Sequence, residues 1–161
     1  MKTLSLILLL LLAACSGTPN YAFVKEQIAP PTVTEPQYKE EDIECLTQNI
    51  YFEARNQPIE GQFAVAEVVL NRTKDPQFPD DICQVIKQKN KNGCQFSWFC
   101  DGKKDIMKEE KAIQLATYVA IAILENPTDV TLGAKYYHAD YVSPKWGKEK
   151  TVVIGDHVFY T

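Results

Sequence analysis

The sequence predicts an α+β domain with its helices first and its strands last. Apolar residues recur at helical spacing in three stretches between residues 41 and 125. Beyond residue 133 the pattern changes to short runs rich in Val, Tyr and Phe, and Gly155-Asp156 sits between two of them as a two-residue hairpin turn would.

The first helix is expected over residues 41–55, with Glu40, Glu41 and Asp42 suited to the positive end of its dipole. Asn56-Gln57-Pro58 ends it, because proline disfavours helical geometry in the residue before it and Asn56 tolerates a left-handed turn. A second helix is expected over 59–73. Ile59, Phe63, Ala66 and Leu70 form its stripe, and Ala64, Val65, Val68 and Val69 widen it until most of the surface should be covered. Residues 75–81 are a proline-punctuated loop, and Asp81 can cap a short helix through Ile86. A polar, basic loop over 87–93 precedes an aromatic, extended segment over 95–99, with Asp101-Gly102 as a turn. The longest helix is expected over 105–125, with Ile113, Ala116, Ala120 and Ile123 inward and Asn126-Pro127 as its stop. Strands follow over 134–138, 151–154 and 157–160.

Residues 1–14 read as an export signal: Lys2, an apolar run from Leu4 to Leu12, then small residues. The run is shorter than the about twenty residues a membrane span needs. Leu12-Ala13-Ala14-Cys15 resembles the bacterial lipobox, which implies that Cys15 becomes a lipid-modified first residue and a membrane anchor. Ser16 after it resembles the outer-membrane sorting pattern, so the expected location is an outer-membrane lipoprotein facing the periplasm of a two-membrane bacterium. Residues 15–40, with Pro19, Pro30, Pro31 and Pro36, read as a tether, which leaves 41–161 as one domain.

The formal charge is −4, and removing residues 1–14, whose one charged side chain is Lys2, leaves −5. An acidic balance without a basic stripe argues against a nucleic-acid partner. Cys45, Cys83, Cys94 and Cys100 remain after Cys15, and in an exported chain they suggest two disulfides, with three pairings open. The short separation favours Cys94 with Cys100, leaving Cys45 with Cys83. A four-cysteine zinc site lacks its usual paired knuckles, so no metal is expected.

Glu53 is the residue that most invites a chemical role. Ile43, Leu46, Ile50 and Glu53 share one helical face, so a carboxylate points toward the packed side. Burial there raises its pKa and suits it to a general acid. The bland alternative is an ion pair with Arg55 or Arg72, or rotation to the helix edge. Glu67, among Phe63 and Leu70, is a second buried carboxylate, with a salt bridge as its plain explanation.

Taken in order, Ile50-Tyr51-Phe52-Glu53-Ala54-Arg55, Gly61-Gln62, Val69-Leu70-Asn71-Arg72, Cys94-Gln95-Phe96-Ser97-Trp98 and Asp101-Gly102 resemble the SleB-type cell wall hydrolases, which include the spore cortex-lytic enzymes. Tyr137-His138-Ala139 before Pro144 and Trp146, and Ile154-Gly155-Asp156-His157 with Phe159-Tyr160, continue the likeness to the chain end. The resemblance implies a helix-rich lysozyme/transglycosylase-like domain with a small C-terminal β-hairpin region. It further implies a glycosidase acting on peptidoglycan glycan strands after N-acetylmuramic acid, and Glu53 matches the family's catalytic glutamate. Where the family usually continues Glu-Ala-Arg with Gly-Glu, this chain has Asn56-Gln57, and Gln57 cannot ionise.

On this reading protonated Glu53 donates to the glycosidic oxygen. With a second carboxylate, water attacks and a reducing sugar results; without one, ionised Glu53 takes the muramyl C6 hydroxyl proton and leaves an anhydro end. The second outcome is favoured, because only Glu67 and Asp101 stand out as partners and Asp101 before glycine suits a turn. Gln95 and Ser97 can hydrogen-bond sugar substituents, and Trp98, Tyr137 and Trp146 offer ring faces, with core packing as the alternative for each aromatic. His138 and His157 read as a structural or sugar-binding pair, with no metal and no cofactor. The competing readings are a metal-dependent peptidase or amidase built on those histidines, and a non-catalytic wall-binding lipoprotein.

Overall fold

The computed structural model describes residues 38–91 and 93–161; the expected signal peptide, Cys15 and most of the tether lie outside them. Helix α1 spans Glu40–Ala54, and the Asp42 carboxylate accepts the Lys39 N–H at 3.1 Å to close its first turn. Pro58 leads into α2, Ile59–Thr73, as the sequence predicts. Between them Asn56 does not turn left-handed. Leu132 is the one non-glycine with positive φ among the described residues, and the turn is held instead by the Gln57 N–H donating to the Ala54 carbonyl.

Asp81 caps α3, Ile82–Ile86, by accepting the Gln84 N–H at 2.9 Å. The basic loop contains two antiparallel two-residue strands, β1 (Lys89–Asn90) and β2 (Gly93–Cys94). The aromatic segment is not extended: Ser97–Cys100 is a 3₁₀ turn, because the Cys94–Cys100 disulfide returns the chain on itself. The second disulfide joins Cys45 to Cys83 and ties α1 to α3. Helix α4 spans Glu110–Glu125, starting later than its apolar pattern suggests. Residues 105–109 run beside α1 instead, where the Tyr51 hydroxyl accepts the N–H groups of Lys108 and Glu109 at 3.1 and 3.3 Å.

The C-terminal hairpin, β4 (Lys150–Ile154) and β5 (His157–Tyr160), gains a third strand, β3 (Tyr136–Ala139), in an antiparallel sheet of order β3-β5-β4. Helix α2 lies between two apolar clusters. Ala66, Val69 and Leu70 join Leu46, Ile50, Val119 and Ile123 of the helical core, while Ala64 and Val68 meet Ala134 and Phe159 of the sheet side. Each fully covered Leu, Ile or Val contributes about 1.5–3 kcal/mol. That double packing explains why α2 is apolar nearly all round.

The α1–α2 turn is fastened to the sheet by a glutamine. Gln57 Nε2 donates to the Asp156 carboxylate at 3.1 Å, and its Oε1 accepts the Asp156 N–H at 2.9 Å. Gly155 beside it has φ +56°, and a Cβ there would run into Gln57 Oε1 and lie 3.2 Å from Pro58 Cδ.

Candidate functional site

The C-terminal ends of α1 and α2, the β2 to 3₁₀ segment, the loop before α4 and the sheet surround a cavity of about 650 Å³. Glu53 lies on its wall, one residue from the close of α1, and is half-buried. The Tyr137 hydroxyl, brought over by β3, donates to Glu53 Oε2 at 2.8 Å. Burial raises the Glu53 pKa, against the Tyr137 hydrogen bond and the charge of Arg72. Burial and then the Glu53 charge push Tyr137 well above its ordinary value, so its hydroxyl keeps its proton and stays a donor.

Arg72, on the last turn of α2, is 4% exposed and lines the same cavity. Its Nε donates to the Lys135 carbonyl at 2.8 Å, and its guanidinium lies 5.2 Å from the Phe78 and Phe96 ring centres and 5.9 Å from that of Tyr136. Burial lowers its pKa, which Tyr137, Tyr136 and Glu53 partly restore. Arg55 turns away from Glu53, its Nε pairing with Glu109 at 3.0 Å.

Of the residues expected to bind, Gln95, Ser97, Trp98, Tyr137 and His138 line the cavity with Glu53, and Trp146 is not among its lining residues. Trp98 is a wall. It is 7% exposed, Phe52 stacks on it at 4.9 Å, and its indole N–H donates to Asn49 Oδ1 at 3.1 Å. His138 has both ring nitrogens engaged, Nδ1 with the Ala139 carbonyl at 2.8 Å and Nε2 with the Tyr160 hydroxyl at 2.9 Å. Trp146 packs edge-on against Tyr136, His138 and Tyr160.

The two candidate partner carboxylates are placed differently. Glu67 is absent from the cavity wall: buried on α2, it accepts the hydroxyls of Thr128 and Thr131 and the N–H groups of Val130 and Thr131, both at 2.9 Å, and so anchors the loop after α4. Neither Arg72 nor a surface lysine salt-bridges it among the described residues, so hydrogen bonds rather than an ion pair account for its burial. Asp101 is at the cavity, exposed, where it accepts the Lys103 N–H at 2.8 Å and pairs with the Lys103 ammonium at 3.2 Å. That backbone hydrogen bond and the ammonium hold it below the usual carboxylate range.

His157 also lines the cavity, edge-on to Tyr137 at 5.0 Å, and burial pulls its pKa down against Asp156 and Asp140. Among the described residues, the one group whose potential metal-ligand atoms converge is Glu41 with Cys45 and Cys83, and both sulfurs are spent in a disulfide. Among the described residues, His138 and His157 belong to no such group of three. Sequence reasoning missed Tyr141, Lys103, Lys104 and Asp105 on the cavity wall, and offered Arg72 only as an ion-pair partner of Glu53 or Glu67. Tyr141, an aromatic in a polar loop outside any apolar period, was the signal available.

The family described as Cell Wall Hydrolase matches residues 56–160, beginning just after Arg55. The chain is 33% identical over 125 residues to a spore cortex-lytic enzyme of Halalkalibacterium halodurans, covering 76% of this chain and 35% of that protein. It is 32% identical over 125 residues to the one of Bacillus subtilis, covering 76% and 38%. The chain thus spans little more than a third of the length of these curated relatives. Among solved structures, the catalytic domain of the germination-specific lytic transglycosylase SleB from Bacillus anthracis aligns with TM-score 0.62 at 31% identity, over 80% of this chain and all of that one. The catalytic domain of the Bacillus cereus SleB protein aligns with TM-score 0.60 at 28% identity, over 78% and 94%. The α+β architecture expected from the sequence is the one these neighbours share, and the chain belongs to the cell wall hydrolase family.

Proposed function

We propose that this chain is a peptidoglycan-degrading glycosidase that cleaves the bond after N-acetylmuramic acid, with Glu53 as its general acid. The observation that carries the reading is Glu53 itself: a carboxyl on a cavity wall, with burial favouring its protonated form and Tyr137 bonded to one of its two oxygens. Because Oε2 accepts from Tyr137, Oε1 is the oxygen free to carry the acid proton. That proton passes to the glycosidic oxygen as the C1–O bond breaks and positive charge develops on the muramyl ring. The departing sugar leaves with a hydroxyl.

Lytic transglycosylation is the favoured outcome. Ionised Glu53 takes the proton of the muramyl C6 hydroxyl as O6 attacks C1, which closes an anhydro ring, consumes no water and restores the acid. Two placements support this route over hydrolysis: Glu67 is engaged by Thr128, Val130 and Thr131, and Asp101 is held by Lys103. The Asp101 turn also gives the bland explanation for that residue its physical basis. Arg72, buried beside the acid, stabilises the carboxylate left after the first transfer.

Mass spectrometry of fragments released from purified peptidoglycan tests the reading. Products one water lighter than reducing muropeptides, absent with Glu53→Gln, are expected. Reducing ends instead would replace transglycosylation by hydrolysis, activity retained by Glu53→Gln would remove the acid assignment, and loss of activity with a chelator would favour the metal-dependent peptidase. The cellular setting proposed is an outer-membrane lipoprotein anchored through Cys15. Labelled palmitate should enter the wild type and not Cys15→Ser.

A further inference from the structure

The aromatic faces that the sequence offers to a sugar are mostly occupied by protein. Phe52 lies on Trp98, and the Tyr137 ring meets His157 at 5.0 Å and Phe159 at 5.6 Å while its hydroxyl serves Glu53. Tyr141 is the contrast. It lines the same cavity and is 86% exposed.

Its backbone is nonetheless held. The Val142 N–H donates to the Ala139 carbonyl at 2.9 Å and the Asp140 N–H to the Asp156 carbonyl at 2.8 Å, so hydrogen bonds flank Tyr141 on both sides and tie its loop to the β4–β5 turn. A tyrosine has only two side-chain torsions to immobilise, so a ligand that orders the ring loses little entropy. Gln95 and Ser97 of the same cavity supply partners for hydroxyl and acetamido groups. Polar partners with one open π face suit a pyranose, whose axial C–H bonds stack on the electron-rich face of an aromatic ring. Four residues beyond Tyr137, at most about 14 Å of extended chain, Tyr141 lies within reach of a sugar near the one attacked.

We infer that Tyr141 is a glycan-binding residue that stacks on a pyranose ring of the strand beside the scissile linkage. The inference rests on the glycosidase reading for the identity of the ligand, and it adds a binding role at a residue outside the reacting centre.

Calorimetric titration with a purified tetrasaccharide of alternating N-acetylglucosamine and N-acetylmuramic acid tests it, in the Glu53→Gln background so that the ligand survives. Adding Tyr141→Ala should weaken Kd about three- to tenfold, while Tyr141→Phe and Tyr141→Trp keep it, as a stacking contact predicts. With Glu53 restored, Tyr141→Ala should raise the half-saturating strand concentration and leave kcat in place. The melting temperature should be unchanged, since the ring is exposed. Equal affinity of the Ala and Tyr forms, or no binding by either, overturns the inference. Fragments released by the wild type alongside a Tyr141-independent Kd leave the glycosidase reading standing and remove this one. Tyr141-dependent binding without any fragments from the wild type does the reverse.

Discussion

The Tyr137 hydroxyl donates to Glu53 Oε2 at 2.8 Å, joining the first helix of the domain to a strand 84 residues later. A buried phenol that keeps its proton occupies Oε2, and the proposed acid step would use Oε1. It also opposes the burial that raises Glu53, since the donated hydrogen bond favours the ionised form.

Tyr137→Phe therefore moves the alkaline limb of the kcat/KM profile to higher pH, because the acid loses a bond that lowered its pKa. Activity at the optimum should fall about ten- to a hundredfold, the range of one hydrogen bond to a charged group. Packing damage alone would lower the rate without displacing the limb, so a pH profile separates the two.

Glu53→Gln should lower kcat/KM by about two to four orders of magnitude, and the folded protein should lose no stability. The carboxyl binds its proton more tightly folded than unfolded, since its pKa is raised. Its favourable contribution is complete below the unfolded pKa and is lost as pH rises through the folded one. The melting temperature of the variant relative to wild type should thus climb from acid to neutral pH; a gap that narrows instead would contradict the buried-acid description.

Arg72 gives a pair of variants with different signatures. Arg72→Lys keeps the cation and loses the planar contacts with Phe78, Phe96 and Tyr136, so it should cost about 1–2 kcal/mol of stability in urea unfolding. Its pH profile should stay near wild type. Arg72→Met removes the charge that lowers Glu53, and its alkaline limb should move upward.

Gly155 and Gln57 should behave as a coupled pair. Gly155→Ala meets both a positive φ and the Gln57 side chain, at a cost of about 1–3 kcal/mol. Gln57→Ala removes two hydrogen bonds to Asp156 and also the obstacle. The double variant should be less destabilised than the sum of the singles, and strict additivity in urea unfolding would deny the contact.

Elements governed by neighbours along the chain are legible in the sequence. The α2 bounds follow from Pro58 and an apolar period, α3 from the Asp81 cap, and the β4–β5 turn from Gly155-Asp156. The pairing of Cys94 with Cys100 followed from their closeness. What differed were segments whose shape is set by side-chain links rather than by periodicity. The local Cys94–Cys100 disulfide folds 97–100 into a 3₁₀ turn, and Tyr51, more than fifty residues away, draws residues 108–109 out of the helix their pattern suggests.

At the site the division has the same cause. Helical periodicity directs Glu53 toward the packed side, since one turn of α1 decides which face a side chain takes, and the burial that raises its pKa comes from what packs there. Tyr137 as the partner of that carboxyl, the choice of Arg72 over Arg55 as the cation near it, Glu67 diverted to a loop, and Tyr141 standing open at the cavity were decided only in three dimensions. Those contacts join different elements of the fold, or concern a ring's exposure, and no local spacing carries information about what packing will bring to, or leave off, a given surface.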